Sequence, residues 1–182
     1  MSEMKTVYIL LTRSTTCFSR LIHLATDEDY THASIGLDGP FGRFYSFARK
    51  HEHFALPAGL VEEQVHTGLL RRMQDAPCCL YALSVTPEVY ERLRGRLSLM
   101  VAQRERYHYN LLGTILCLFN RPLARRYHYF CSQFVAELLQ GSGALSLSKS
   151  PALFHPADFC RVAGLQTLHR GAIGALPLSV PA

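Results

Sequence analysis

The chain has 182 residues, 48% hydrophobic and 18% charged, a composition that suits one compact domain with a real core and calls for no second one. Its formal charge of +5 is spread along the sequence, densest over residues 43–50, 92–96 and 121–126, and this bias is compatible with acidic substrates, anionic lipid or nucleic acid without selecting any of them. No apolar run approaches the roughly 20 residues that cross a bilayer, the N-terminus lacks a secretory pattern, and the six cysteines have neither disulfide-framework nor zinc spacing, so the expectation is a soluble cytoplasmic protein with reduced thiols, no metal, no other cofactor and no integral membrane segment.

Residues 6–12 are apolar enough for a buried first strand, and Ser14 then caps a helix whose Phe18, Leu21, Ile22 and Ala25 recur at helical spacing. Residues 30–38 follow as a strand in which Ala33, Ile35 and Leu37 point one way and His32, Ser34 and Gly36 the other. The second set is one histidine followed only by small residues, which predicts a close approach, and a helix end carrying a nucleophile would fit there. The Asp-Gly-Pro-Phe-Gly run at 38–42 is a turn, and residues 43–47 return as the second arm of a hairpin. Pairing that puts Phe44 and Ser46 on the His32 side would bring Ser46 to the imidazole; a one-residue slip would remove it.

Residues 48–75 are punctuated by Pro and Gly and predict an irregular excursion with a short helix at 60–64, of the kind that shapes a substrate cleft. The triplet His51-Glu52-His53 within it has no further ligand in sight and reads as solvated side chains rather than a metal site. Residues 77–85 form a strand. Thr86-Pro87-Glu88 opens a helix, with Thr as cap and an acid near the positive end, and Val89, Leu93, Leu97, Met100 and Val101 make its buried stripe. Arg92, Arg94, Arg96 and Arg104 read as its solvated side, not as a nucleic-acid footprint. Residues 111–119 predict a buried helix and residues 120–127 a basic connection.

Tyr129 and Phe130 then run into a helix with apolar residues at 134, 135, 138 and 139 and Gly141 as its stop. Cys131 lies in the first turn, where backbone N–H groups lack intrahelical partners and the macrodipole is positive; both favour the thiolate. The same residue shares the apolar stripe, where a free cysteine also serves as a small buried hydrophobe, so a partner base is needed to decide. Beyond Gly141 the chain reads as irregular, with residues 151–159 closing the fold and an irregular tail at 171–182.

A histidine at the start of a strand and a cysteine at the head of a helix are the two parts of a Cys–His hydrolase. Cys131 would attack a carbonyl, His32 would hold the thiolate as an ion pair and protonate the leaving group, and N–H groups of Cys131 and Ser132 would face the oxyanion. Tyr30 and Gln133 are further candidates to line the pocket. Three stretches carry a resemblance: Tyr30-Thr31-His32-Ala33-Ser34-Ile35-Gly36-Leu37-Asp38, Phe44-Tyr45-Ser46-Phe47-Ala48-Arg49 and Tyr129-Phe130-Cys131-Ser132-Gln133-Phe134-Val135. Together they resemble the circularly permuted branch of the NlpC-type papain-like cysteine peptidases, relatives of the lecithin retinol acyltransferase group, in which the His strand precedes the Cys helix.

That resemblance implies an α+β papain-like fold in permuted order, a small antiparallel sheet packed against helices, over a single domain 1–182. It also implies a peptide, amide or acyl-lipid substrate rather than nucleic acid. The third polar residue of the family falls by alignment near Ser46, a neutral and weak orienter of imidazole. Three functions stay open: a thiol hydrolase working through acyl-Cys131, a ligand-binding module of the same fold that has lost turnover, and an acyltransferase or thioesterase at a membrane surface.

Overall fold

Apolar alternation and turn chemistry divide the described chain into eight strands and four α-helices, in the order β1 (Lys5–Thr12), β2 (His32–Gly36), β3 (Arg43–Arg49), β4 (Ala58–Gln64), α1 (Gly68–Arg71), β5 (Pro77–Val85), α2 (Pro87–Ala102), β6 (His108–Tyr109), α3 (Leu111–Leu118), β7 (His128–Tyr129), α4 (Cys131–Ser142) and β8 (Gln166–Ala172). The computed structural model describes residues 3–13, 28–49, 58–65 and 68–176. The expected helix after Ser14 and the His51-Glu52-His53 triplet lie outside the described residues.

The strands join one curled sheet in the order β7-β6-β4-β3-β2-β1-β5-β8, antiparallel throughout except where β6 and β7 run parallel. It is therefore an α+β protein whose sheet is larger than the small antiparallel one expected, and mixed. β1 and β5 form its centre, paired from Lys5 against Val85 to Thr12 against Cys78, and both are buried on two faces through most of their length. On one face Ala33, Ile35, Phe47, Leu60, Tyr81 and Leu83 meet Leu93 and Leu97 of α2 and Phe134, Val135, Leu138 and Leu139 of α4. On the other, Leu10, Phe44, Val65 and Leu80 meet Leu70, Met73 and Ile173. Each such Leu, Ile or Phe contributes about 1.5–3 kcal/mol of burial, so these two layers fix which way every strand faces.

This layering corrects several expectations. The helix that begins at Cys131 lies over the Ala33 and Ile35 side of β2, whereas the small-residue side is crowded by a ring: a Cβ on Gly36 would stand 3.0 Å from Phe44 Cε1. Residues 60–64 are not a helix but part of β4, paired with β3 from Arg43 against Gln64 to Arg49 against Ala58. The open edge of β3 offers a full ladder of hydrogen bonds there, a tertiary gain that outweighs local preference. α4 does not stop at Gly141; it runs to Ser142 and ends on Gly143, whose φ of 78° is the left-handed conformation glycine adopts freely. Gly141 is needed within the helix because the Arg96 guanidinium packs where a Cβ would be, while Arg92 Nε donates to the Ser142 carbonyl at 3.0 Å. Residues 166–172 form the edge strand β8 against β5 and 173–175 a 3-10 turn, so order extends into the stretch read as an irregular tail.

α2 follows its sequence signals: Thr86 Oγ1 accepts from the Val89 N–H, Pro87 opens the helix, and Leu93, Leu97 and Met100 are buried. α3 forms where expected but is not buried, since Leu111, Leu112, Ile115 and Phe119 are 40–72% exposed. Its inner side is pinned by Asn110, which is fully buried; Oδ1 accepts from the Gly113 N–H at 3.1 Å and Nδ2 donates to the Leu123 carbonyl at 2.9 Å. The Asn110 N–H in turn donates to the Tyr129 carbonyl at 2.9 Å. One side chain thus caps a helix and ties down the basic connection, while its own backbone holds β7 just ahead of Cys131. Among the described residues no helix is long and apolar enough to cross a membrane.

Asn110→Ala removes a cap and leaves the Leu123 carbonyl without its donor. It should cost about 2 kcal/mol, read as a fall in Tm of about 4–8 °C by calorimetry.

Candidate active site

The turn into α4 is set by its neighbours on both sides. β7 pairs with β6, placing Tyr129 beside Tyr109, and the Phe47 ring lies 5.2 Å from that of Tyr129 and 5.1 Å from that of Phe134. Between those two clamped aromatics the chain passes through Phe130 in extended conformation (φ −102°, ψ 167°) and enters the helix. The first helical bond runs from the Phe134 N–H to the Phe130 carbonyl, and no side chain caps the turn. The N–H groups at the positive end of a twelve-residue helix are therefore left to whatever faces Cys131.

His32 faces it. As the first residue of β2 it is paired with Thr12, and the Thr31 N–H donates to the Thr12 carbonyl at 3.0 Å, so the strand start is fixed from both sides. Its Nε2 lies 2.9 and 3.1 Å from the two carboxylate oxygens of Glu63 on β4, and the Cys131 thiol is near enough to the ring to act on its charge. The two side chains of the His32–Glu63 pair are 13% and 16% exposed, so the attraction is only partly screened by water. Burial works against a charged imidazole, but the Glu63 carboxylate and the Cys131 sulfur outweigh it and hold His32 well above its ordinary range. Burial likewise pushes the Cys131 thiol up, and the hydrogen bond and charge of His32, with the N–H groups of Ala33 and Ser132, bring it below the ordinary value. The pair favours thiolate beside imidazolium.

Of the residues singled out from sequence, Cys131, His32 and Ser132 come together. Ser46 does not join them: it is fully buried, and its hydroxyl donates to the Ala33 carbonyl at 2.6 Å. The third polar group on the imidazole is the Glu63 carboxylate, two strands away from β2. Tyr30 belongs to the core beneath α4, and its hydroxyl is pushed up to about 12 by burial and by Cys79. Thr31, the next residue, lines the cleft instead. Gln133 is 1% exposed, its Oε1 has no hydrogen-bond partner, and it does not line the cleft.

A small, half-open cleft over Cys131 is walled by Thr31, Tyr109, Thr114, Cys117, Leu118, Phe130, Ser132, Phe154, His155 and Pro156. Tyr109, which sequence reasoning passed over, keeps its proton there: burial and the nearby Cys131 charge push its hydroxyl up, against a hydrogen bond from Thr114. It is a neutral donor beside the thiolate. On the opposite wall, His155 is pushed up to about 10 by a hydrogen bond with Cys117 and by Glu28, whose Oε2 lies 3.4 Å from Nδ1. Five cysteines are described, all as free thiols, four buried and Cys160 exposed. Among the described residues no group of three or more His, Cys, Asp or Glu is arranged to hold a metal ion. Glu63 was hidden by reading 60–64 as a helix; Val61 and Glu63 alternate with Leu60 and Glu62, and with β4 placed, Glu63 falls opposite Phe44. No family model, curated protein or solved structure matches the chain.

The directions of these two shifts set a pH profile. Cys131 should alkylate with a half-maximal rate at a pH below that of an ordinary thiol, because the thiolate forms while His32 is still charged. Glu63→Gln takes away the main support of the imidazolium and should move that midpoint up by about one to two units. Ser46→Ala should leave the midpoint in place and lower stability by about 1 kcal/mol. Iodoacetamide kinetics with peptide mapping, repeated across pH, read the midpoints, and denaturant unfolding reads the stability of Ser46→Ala.

Proposed function

We propose that the protein is a thiol hydrolase of amide or acyl bonds, built as a papain-like site in permuted order, with Cys131 as nucleophile, His32 as acid and base, and Glu63 as the residue that orients and charges the imidazole. The observation that carries this reading is the Glu63 carboxylate 2.9 Å from the His32 ring, with the imidazole and the Cys131 thiol each favouring the charged form of the other. The Cys131 sulfur attacks the substrate carbonyl carbon, and the carbon–oxygen π pair moves onto oxygen, towards the uncapped N–H groups of the helix start. His32 gives its proton to the departing amine or alkoxide, the tetrahedral centre collapses, and a thioester on Cys131 remains. Water, deprotonated by His32, then attacks the thioester; the acid leaves and the thiolate–imidazolium pair is restored.

Glu63 also bears on the competing reading of a binding module with weakened chemistry. The motive for that reading was a neutral Ser46 as the third group, and a carboxylate on the imidazole removes it. The tyrosine hydroxyl of Tyr109 is a second donor for the reacting carbonyl.

An activated ester such as p-nitrophenyl butyrate should give a burst of p-nitrophenol close to one equivalent per chain, with the acyl mass recovered on the peptide that contains Cys131. Cys131→Ala should abolish the burst, and Glu63→Gln should slow it by about ten- to a hundredfold. Acylation spread over other residues, or an undiminished burst from Cys131→Ala, would remove the hydrolase reading.

A further inference from the structure

We propose that the outer face of α3 docks on an anionic phospholipid surface. Seven large apolar side chains are exposed among the described residues, and four of them, Leu111, Leu112, Ile115 and Phe119, fall within nine residues of this one helix and its C-cap; Met4, Leu99 and Leu168 lie elsewhere in the sequence. At 100° per residue the four fall on one side of the helix, opposite the buried Gly113, Thr114 and Cys117. A continuous apolar face of this kind, on a helix otherwise well anchored by Asn110, marks an interaction surface rather than scattered exposure.

Charge selects the occupant. Residues 107–136 contain Arg121, Arg125, Arg126, His108 and His128 and not one Asp or Glu. Arg121 directly follows Asn120, whose φ of 55° ends the helix, and Arg121, Arg125 and Arg126 are exposed. Arg106 and Arg126 lie over the Tyr127 ring at 4.7 and 4.8 Å, which holds two guanidinium groups in place in the connection that follows the helix. An apolar helix face whose own stretch of chain carries cations and no carboxylate matches a surface that offers hydrocarbon below and phosphate above. A second copy of the chain would bring the same arginines against these, a like-charge arrangement that disfavours self-association.

The same helix walls the site with its other side. Thr114, Cys117 and Leu118 on the flank of α3 line the cleft over Cys131, so a lipid surface touching Leu112 and Phe119 would lie one helix wall away from it. The docking itself does not depend on the hydrolase reading, and its failure leaves the chemistry of Cys131 untouched.

Sedimentation with vesicles tests it. The wild-type chain should pellet with phosphatidylcholine vesicles that contain phosphatidylserine, poorly with phosphatidylcholine alone, and progressively less as salt rises. The double variant Leu112→Ser with Phe119→Ser should lose binding about tenfold or more, and Arg121→Ser with Arg125→Ser should lose mainly the preference for the anionic vesicles. Both variants change exposed side chains, so unchanged circular dichroism and Cys131 alkylation rate confirm that they are folded. Equal binding to neutral vesicles, a double variant that binds like the wild type, or a wild-type dimer dispersed by Phe119→Ser would each overturn the proposal.

Discussion

The chemistry of the site depends on the carboxylate of Glu63 reaching the imidazole of His32. A thiol sealed among hydrocarbon prefers to stay protonated, and a buried imidazole prefers to stay neutral. Burial works against charge at both Cys131 and His32, so without an added partner the two would sit side by side as uncharged groups. Glu63 changes the balance because its two oxygens, 2.9 and 3.1 Å from Nε2, favour the cationic ring, and the cationic ring then favours the thiolate. The positive end of α4 and the N–H groups of Ala33 and Ser132 take up part of the remaining negative charge. A site of three partly desolvated charges is costly to build and is held by the fold around it rather than holding it.

The fold supplies that support from distant parts of the chain. β1 aligns the start of β2, β3 carries β4 and with it Glu63, and the Phe47 ring on β3 packs against both Tyr129 and Phe134, the residues that flank the Cys131 turn. Asn110 links the same turn to α3 through the Tyr129 carbonyl. Consequently the wall of the cleft and the exposed apolar face are two sides of one anchored helix. The orphan amide oxygen of Gln133, one turn into α4, shows that polar groups are buried here at a cost of about 1–3 kcal/mol.

Much of this was legible in the amino-acid order, and the parts that were not share a cause. The two-residue period of 30–38 and the turn at 38–42 are local signals, and they placed β2, β3 and His32; the apolar spacing after Cys131 did the same for α4. Glu63 was invisible because its meaning comes from pairing: residues 60–64 become a strand only when β3 is beside them, and no local propensity announces a neighbour. Ser46 was the natural substitute, being in the right hairpin, yet the register turns its hydroxyl to the Ala33 carbonyl. α3 was read correctly as a helix and wrongly as buried, since apolar composition alone cannot say whether a helix faces the core or an outside surface. β8 lacked a signal of its own because an exposed edge strand shows no alternation.

The protonation of the His32 ring is the quantity on which the account turns, and nitrogen-15 NMR of the imidazole measures it directly. The account predicts that at neutral pH both ring nitrogens carry protons, that the ring stays charged well above the usual histidine range near 6.5, and that Cys131→Ala lowers the pH at which the charge is lost. A ring that is neutral at pH 7, titrates near 6.5 and does not respond to removal of the sulfur would contradict it.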